Sequence, residues 1–551
     1  MADGKEVVSV TKERRTEMPT EPRGLTRREA LKGGLAAAAC LSLGSGAATL
    51  GGAANRPRNV LLLMTDEHNA RAFSFMGHEF ARTPNIDRLA RGGVVFENAY
   101  CAHPVCTASR ASLHTGMWPQ THGVHLNVGL PEPDPTKGLS PDTTLMASVF
   151  HSRGYKTYHH GKWHIGNVRR HPCYNWSPRS QCHPTNDYVP YMAEYNRKHP
   201  VPDDLPPGGR TSVGPVFCLY GWPLYEIPKM RSFTDKHPNL YPAGRWAIPL
   251  EAHHTTFLTD QVLQSLSECG NQPYMITWSD LGPHGPHFCP DPYYNLTDPA
   301  RIKLPANLDR PDCYKNDPSC VAYDDMGEEG VREYLRCYYG LIMLIDDQIG
   351  RILKELERRG ELDDTLVVFT ADHGDMCGAH RTAGGKAIWA FYDEITRVPL
   401  IMHWTKGIRA GRRVKTLVNG VDVMPTILDY AGLPVPSQCQ GESFRRYVEG
   451  REDADRAAFC EATHPTANVM RRMIRTRDWK LWIYYQQGFD SGEWIEGRPM
   501  AMYHLSEDPG EQRNLANDPA YAKVRKELTD RMLGWMRDVN DPWLRRLPGL
   551  A

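Results

Sequence analysis

Two uninterrupted apolar runs, Asn59 to Thr65 and Thr365 to Thr370, each lead straight into acid, at Asp66-Glu67 and at Asp372-His373. Runs that are apolar at every position, rather than at every second one, fit strands covered on both faces, the setting of central parallel strands. Open α/β sheets bind ligands beyond the carboxyl ends of such strands, so both acidic pairs are predicted to lie at one crevice. The intervening chain supports alternation of helix and strand. Thr83-Pro84-Asn85-Ile86-Asp87 opens a short helix by proline and cap residues, and Thr144 to Arg153, Gly154 and Tyr155 to His160 read as helix, stop and strand. Val331, Leu335, Tyr338, Ile342, Ile345, Ile349, Ile352 and Leu356 recur at steps of four and three, which predicts one helix over 331–359 with its stripe on the sheet and Gly360 as its end. The fold class read from this pattern is α/β, a large mixed, mostly parallel sheet flanked by helices.

Three regions depart from the alternation. Residues 166–256 are rich in Pro, Gly and aromatics (Tyr174, Trp176, Tyr188, Tyr220, Trp222, Tyr225, Trp246) and read as an insertion shaping a substrate pocket. After about residue 446, Met470 to Tyr485 and Met502 to Leu505 suggest an antiparallel sheet. A helix carrying Tyr521, Val524, Leu528, Met532 and Trp535 would close it as a smaller C-terminal α+β subdomain over 446–551. Residues 1–32 carry eight basic side chains, no charge follows until Arg56, and Thr26-Arg27-Arg28-Glu29-Ala30-Leu31-Lys32 precedes a Gly/Ala/Leu stretch ending at Gly52-Ala53-Ala54. That layout resembles a twin-arginine export signal over 1–54, which implies the twin-arginine translocase as a partner, a periplasmic or extracellular location, and no stable membrane span in the mature form. Lys+Arg and Asp+Glu both total 65 in 551 residues, so no bulk charge favours nucleic acid. The 14 cysteines lack CxxC pairs; Cys313 and Cys320 are close enough in sequence for one local disulfide.

The densest chemistry lies in Cys101 to Gly116, with Cys106 where a loop enters a helix and Arg110 one turn on, a setting that favours an anion. The string Cys106-Thr107-Ala108-Ser109-Arg110 resembles the Cys-x-Pro/Ala-x-Arg signature of the type I, formylglycine-dependent sulfatases of the alkaline phosphatase superfamily, with Ala108 where Pro is more usual. Other elements of that family follow in order: Asp66-Glu67, Gly161-Lys162-Trp163-His164, Pro283-His284-Gly285-Pro286, Asp372-His373-Gly374-Asp375, Gly378-Ala379-His380 with Lys386, and Tyr503 to Ala516 as a structural C-terminal segment. Glu67 stands where the family often has Asp, and Lys386 lies one residue further on than usual. His287 is the competitor of His284.

The resemblance implies an alkaline-phosphatase-like fold with its catalytic domain over 55–445, and hydrolysis of an organic sulfate ester, of a sulfated small molecule or glycan, to alcohol and inorganic sulfate. It implies that Cys106 is oxidised to formylglycine by a formylglycine-generating enzyme. It implies one divalent metal on Asp66, Glu67, Asp372, His373 and position 106. Oxygen donors favour Ca²⁺, with Mg²⁺ or Mn²⁺ as alternatives. Arg110, Lys162 and Lys386 would neutralise sulfate oxygens, His284 would protonate the leaving alcohol, and His164 would act as base. Lys162 and His164, two apart on an extended segment, would point the same way. Two other readings stand beside this one, a phosphonate monoester or phosphodiester hydrolase of the same superfamily and a non-catalytic exported glycan-binding protein.

Overall fold

The first apolar run forms β1 (Asn59–Asp66), all eight residues of which are buried. In the structure, a computed structural model, the residues described are 56–128, 138–166, 173–174, 188–202, 224–226, 242–308, 318–386, 390–464, 469–487 and 494–546. With β2 (Val94–Phe96), β3 (Lys156–Gly161), β4 (Tyr274–Pro283), β5 (Thr365–Ala371), β6 (Leu400–His403) and β7 (Arg412–Val414), β1 builds a seven-stranded sheet in the order β7-β2-β6-β5-β1-β4-β3. β1 is parallel to β4 and β5, β3 to β4 and β7 to β2, while β6 runs antiparallel to both its neighbours. The fold is therefore the mixed, mostly parallel α/β sheet the apolar runs predict.

Alternate residues of β1 supply the two core layers, because side chains of a strand point to opposite faces. Val60, Leu62 and Met64 join one layer, and Leu61 and Leu63 join the other with Ile345, Ile349 and Ile352 of the long helix. The helices that position the site are α1 (Pro84–Gly92), α2 (Cys106–Thr115), α3 (Met146–Ser152), α4 (His254–Cys269) and α5 (Pro318–Arg358). α5 begins earlier than the predicted 331, and Gly327 at φ +66° interrupts its helical geometry; the whole predicted stripe from Val331 to Leu356 is buried. Register fixes what emerges where. Thr65 pairs with Ala371, Asp66 with Pro283 and Gly161 with Ser279, so Asp66, Asp372, His284 and Lys162 all leave the sheet at one edge.

A separate antiparallel sheet follows, β8 (Ala458–His464), β9 (Val469–Arg475), β10 (Trp479–Gln487) and β11 (Trp494–His504), in sequence order. Met470, Ile474, Leu481 and Met502 pack with Leu528, Met532 and Trp535 of α6 (Ala522–Asp538). Lys480 of β10 ties this sheet to the catalytic layer, donating to Asp393 Oδ1 at 2.6 Å and Phe391 O at 2.9 Å and lying 2.8 Å from Glu511 Oε1. Tyr174, Tyr188 and Trp246 are buried and pack on Trp163, Phe257 and Phe288. These three aromatics of the predicted insertion join the core layers on the two faces of the large sheet and are not presented to a sugar. Trp176, Tyr220, Trp222, the export segment 1–54 and Cys313 lie outside the described residues, as does the side chain of Cys320. No described helix is long and apolar enough to cross a membrane.

Candidate active site

The helix α2 begins at Cys106 itself, after Val105 in extended conformation, so the Cys106 side chain sits at the positive end of a ten-residue helix. Its Sγ lies 3.1 Å from Lys386 Nζ, 3.2 Å from His373 Nε2 and 3.6 Å from Asp66 Oδ1, and His164, whose Nε2 is 3.3 Å from Val128 O, lies close by. Burial pushes the thiol pKa up, but Lys162, Lys386 and His373 outweigh burial and hold it well below the ordinary range. This is a site built to stabilise negative charge at position 106.

Arg110, one turn along, is fully buried. Its Nε donates to Asp372 Oδ2 at 2.7 Å, Nη2 to Asp66 Oδ2 at 3.2 Å, and Nη1 to Lys162 O and Ser279 Oγ. Arg110, expected to help neutralise sulfate oxygens, has its guanidinium bonded to protein groups, so its charge acts on Asp66 and Asp372 first. Lys162 Nζ also donates to Asp66 Oδ2. Burial and Cys106 raise the Asp66 pKa, yet Lys162, His284 and Arg110 outweigh them and hold the carboxyl below its usual range. His164 adopts φ +54°, so the predicted extended geometry with Lys162 is lost, and both side chains still lie close enough to act on the charge at position 106.

With Oδ2 of each aspartate held by Arg110, Oδ1 of each faces inward. Asp66, Cys106, Asp372 and His373 each place one donor atom within 4.8 Å of all the others. His373 Nε2 stands 4.0 Å from Asp66 Oδ1 and 3.9 Å from Asp372 Oδ1, and Asp372 Oδ1 accepts from the Glu67 and His373 amides. Glu67, buried at φ +60°, has no hydrogen-bond partner on either carboxylate oxygen. Its Oε2 lies 3.2 Å from His284 Nε2 and 3.6 Å from Lys386 Nζ, beside the quartet rather than in it. Converging buried carboxylates and an imidazole fit a divalent cation.

His284 Nδ1 is 2.5 Å from Gly285 O, and its Nε2 is 2.8 Å from Lys386 Nζ. His287 instead packs edge-on against Tyr334 at 4.7 Å, and burial holds its pKa at about 3. His380 is turned away from Cys106, stacking on Tyr392 at 3.7 Å, while Lys386 of the same segment reaches the thiol. Sequence reasoning assigned no role to Ser109, whose Oγ donates to Asp372 O at 2.6 Å, nor to Ser279 or Asp375. For Asp375 the signal was present, two residues after His373.

Comparison with known proteins gives the family. The sulfatase family model matches residues 58–433, and the model of the C-terminal part of N-sulphoglucosamine sulphohydrolase matches 388–538. The chain is 28% identical over 531 residues to an N-acetylglucosamine-6-O-sulfatase of Bacteroides thetaiotaomicron, covering 89% of this chain and 88% of that protein. It is 26% identical to an ulvan-active sulfatase of Formosa agariphila, over 89% of this chain and 83% of that one. The fold also resembles the crystal structure of a phosphonate monoester hydrolase of Agrobacterium radiobacter, with TM-score 0.68, 24% identity and coverage of 88% and 96%. The chain belongs to the sulfatase family of the alkaline phosphatase superfamily and is a sulfuric ester hydrolase.

Proposed function

We propose that the protein is an exported, formylglycine-dependent sulfatase that hydrolyses the sulfate ester of a carbohydrate to an alcohol and inorganic sulfate. The observation that carries this is the convergence of Lys386 and His373 on Cys106 Sγ at the start of α2, with Lys162 and His164 close by. In the encoded chain Sγ stands where the oxygens of formylglycine hydrate would lie. Hydrated formylglycine supplies a nucleophilic hydroxyl, and a divalent cation on Asp66, Asp372 and His373, with Glu67 beside them, supplies Lewis acidity; its oxygen donors favour Ca²⁺.

The chain's own residues do the rest. Lys386, less buried than Lys162, meets sulfate oxygens as charge moves onto them, from a position already fixed. His284 Nδ1 donates to the Gly285 carbonyl, which sets the ring and leaves Nε2 to deliver a proton to the departing alkoxide. His164 accepts a proton from position 106. Arg110 holds Asp66 and Asp372 in place. A carbohydrate substrate is supported by the names of the two sulfatase relatives, whereas the buried Tyr174, Tyr188 and Trp246 add nothing to it.

Residues 55–445 would carry the catalytic sheet and 446–551 the supporting subdomain. Maturation would require a formylglycine-generating enzyme, and Arg27 with Arg28 would direct the folded chain to the twin-arginine translocase; replacing both by Lys would leave the protein in the cytoplasm. The test of activity is kcat/KM on nitrophenyl sulfate, nitrophenyl phosphonate and 6-sulfated N-acetylglucosamine, with protein co-produced with the maturation enzyme. The sulfates are expected to be the faster substrates; a faster phosphonate would favour the phosphonate hydrolase reading, and no turnover the glycan-binding one.

A further inference from the structure

Lys386 follows a loop that one carboxylate closes at its neck. Asp375 is fully buried; its Oδ1 accepts from Cys377 N at 2.6 Å and from Tyr334 OH at 2.7 Å, and its Oδ2 accepts from Gly385 N at 2.9 Å. Met376 N donates to Gly385 O at 3.1 Å, so the chain leaving at 376 and returning at 385 is joined over Asp375, and Lys386 is the next residue.

The neck is anchored to α5. Gly384 lies against the Tyr334 ring at φ +107°, and a Cβ there would stand 2.6 Å from the ring, so any other residue would push the returning chain off the tyrosine. One turn further along α5, Tyr338 donates to Glu67 O at 2.8 Å and accepts from Asn69 N at 2.9 Å. Asn69 Nδ2 crosses to Asp375 O at 2.8 Å. A single face of the helix thus fixes both the loop after β1 and the loop that delivers the lysine.

We propose that Asp375, tied to Tyr334, is the positioning residue that places Lys386 Nζ at position 106; this rests on the reading of Lys386 as the group that meets sulfate. A lysine is a point charge on a flexible four-carbon stem, so where its ammonium group falls depends on where its backbone is held. Asp375 touches neither substrate nor the reacting atoms and acts through the loop.

The test is a double-mutant cycle on kcat/KM for nitrophenyl sulfate, with unfolding midpoints measured for every variant. Asp375→Asn is expected to lower kcat/KM by about 10- to 100-fold, the range for groups that support a reacting site. In Lys386→Ala the same change is expected to cost nothing further. Tyr334→Phe, which removes only the hydroxyl, is expected to lower kcat/KM in the same direction by less, to be equally silent in Lys386→Ala, and to keep the unfolding midpoint; it carries the cycle if Asp375→Asn fails to fold. Losses that multiply in the double variants would overturn this proposal alone. Unchanged turnover in Lys386→Ala would overturn the reading of the site and this proposal with it.

Discussion

Arg110 and Lys386 are both cations close to position 106, yet the structure gives them different work. Arg110 is enclosed, with donors on two buried carboxylates, so Arg110→Ala leaves Asp66 to Lys162 and Asp372 without its cation and should destabilise the fold by about 3–5 kcal/mol, seen as a lowered unfolding midpoint. Lys386→Ala should leave the midpoint alone and lower kcat/KM by about 10²- to 10³-fold, the cost of losing one fixed donor to developing charge. His284 can be separated by leaving group. His284→Gln should slow a sugar sulfate by about 10²- to 10⁴-fold and nitrophenyl sulfate far less, because nitrophenolate departs without a proton; equal losses on both substrates would remove His284 from the acid role.

At the scale of elements, the two sheets are joined by a buried charge cluster. Lys480 faces Asp393 and Glu511, and the Glu511 carboxyl is pushed up to about 8 by burial, against the pull of Lys480. Lys480→Ala would remove the cation that contacts both acids directly, leaving them to Arg475, and should cost about 3–5 kcal/mol in a denaturant titration, with little change in KM. The strands β1 and β5 were legible in the sequence because burial on both faces leaves an unbroken apolar run, and their ends located Asp66, Asp372 and His373. Cys106 was legible as a helix start. The roles of Lys162, His164, His284 and Lys386 came only with the family resemblance, since neither periodicity nor spacing marks them. The commitment of Arg110 was not legible, because its partners Asp66, Ser279 and Asp372 are distant in sequence and meet it only through sheet register. The same is true of Tyr334 and Asp375, brought together by α5 crossing the strand ends. His380 neighbours Lys386 in sequence but stacks on Tyr392 and stays out of the cluster at Cys106.

Across the whole molecule, burial of neutral imidazole sets the response to acid. His159, His160 and His287 are buried, and desolvation lowers each pKa to about 3 from an ordinary 6.5. The unfolded chain therefore binds protons that the folded chain refuses between about pH 6.5 and 3. Their contribution is fully present above 6.5 and is lost as pH falls through that window, by roughly 2 kcal/mol for each histidine at pH 5. The unfolding midpoint should fall between pH 7.5 and 5, and His160→Asn should flatten the slope. The proposed function turns on a single position, encoded as cysteine and proposed to be an aldehyde in the mature enzyme. Mass spectrometry of the peptide spanning residue 106, from protein made in its native host, tests it most directly. The expected residue is formylglycine, which has lost its sulfur and carries a carbonyl oxygen; an unmodified thiol in protein that turns over sulfate esters would overturn the proposal.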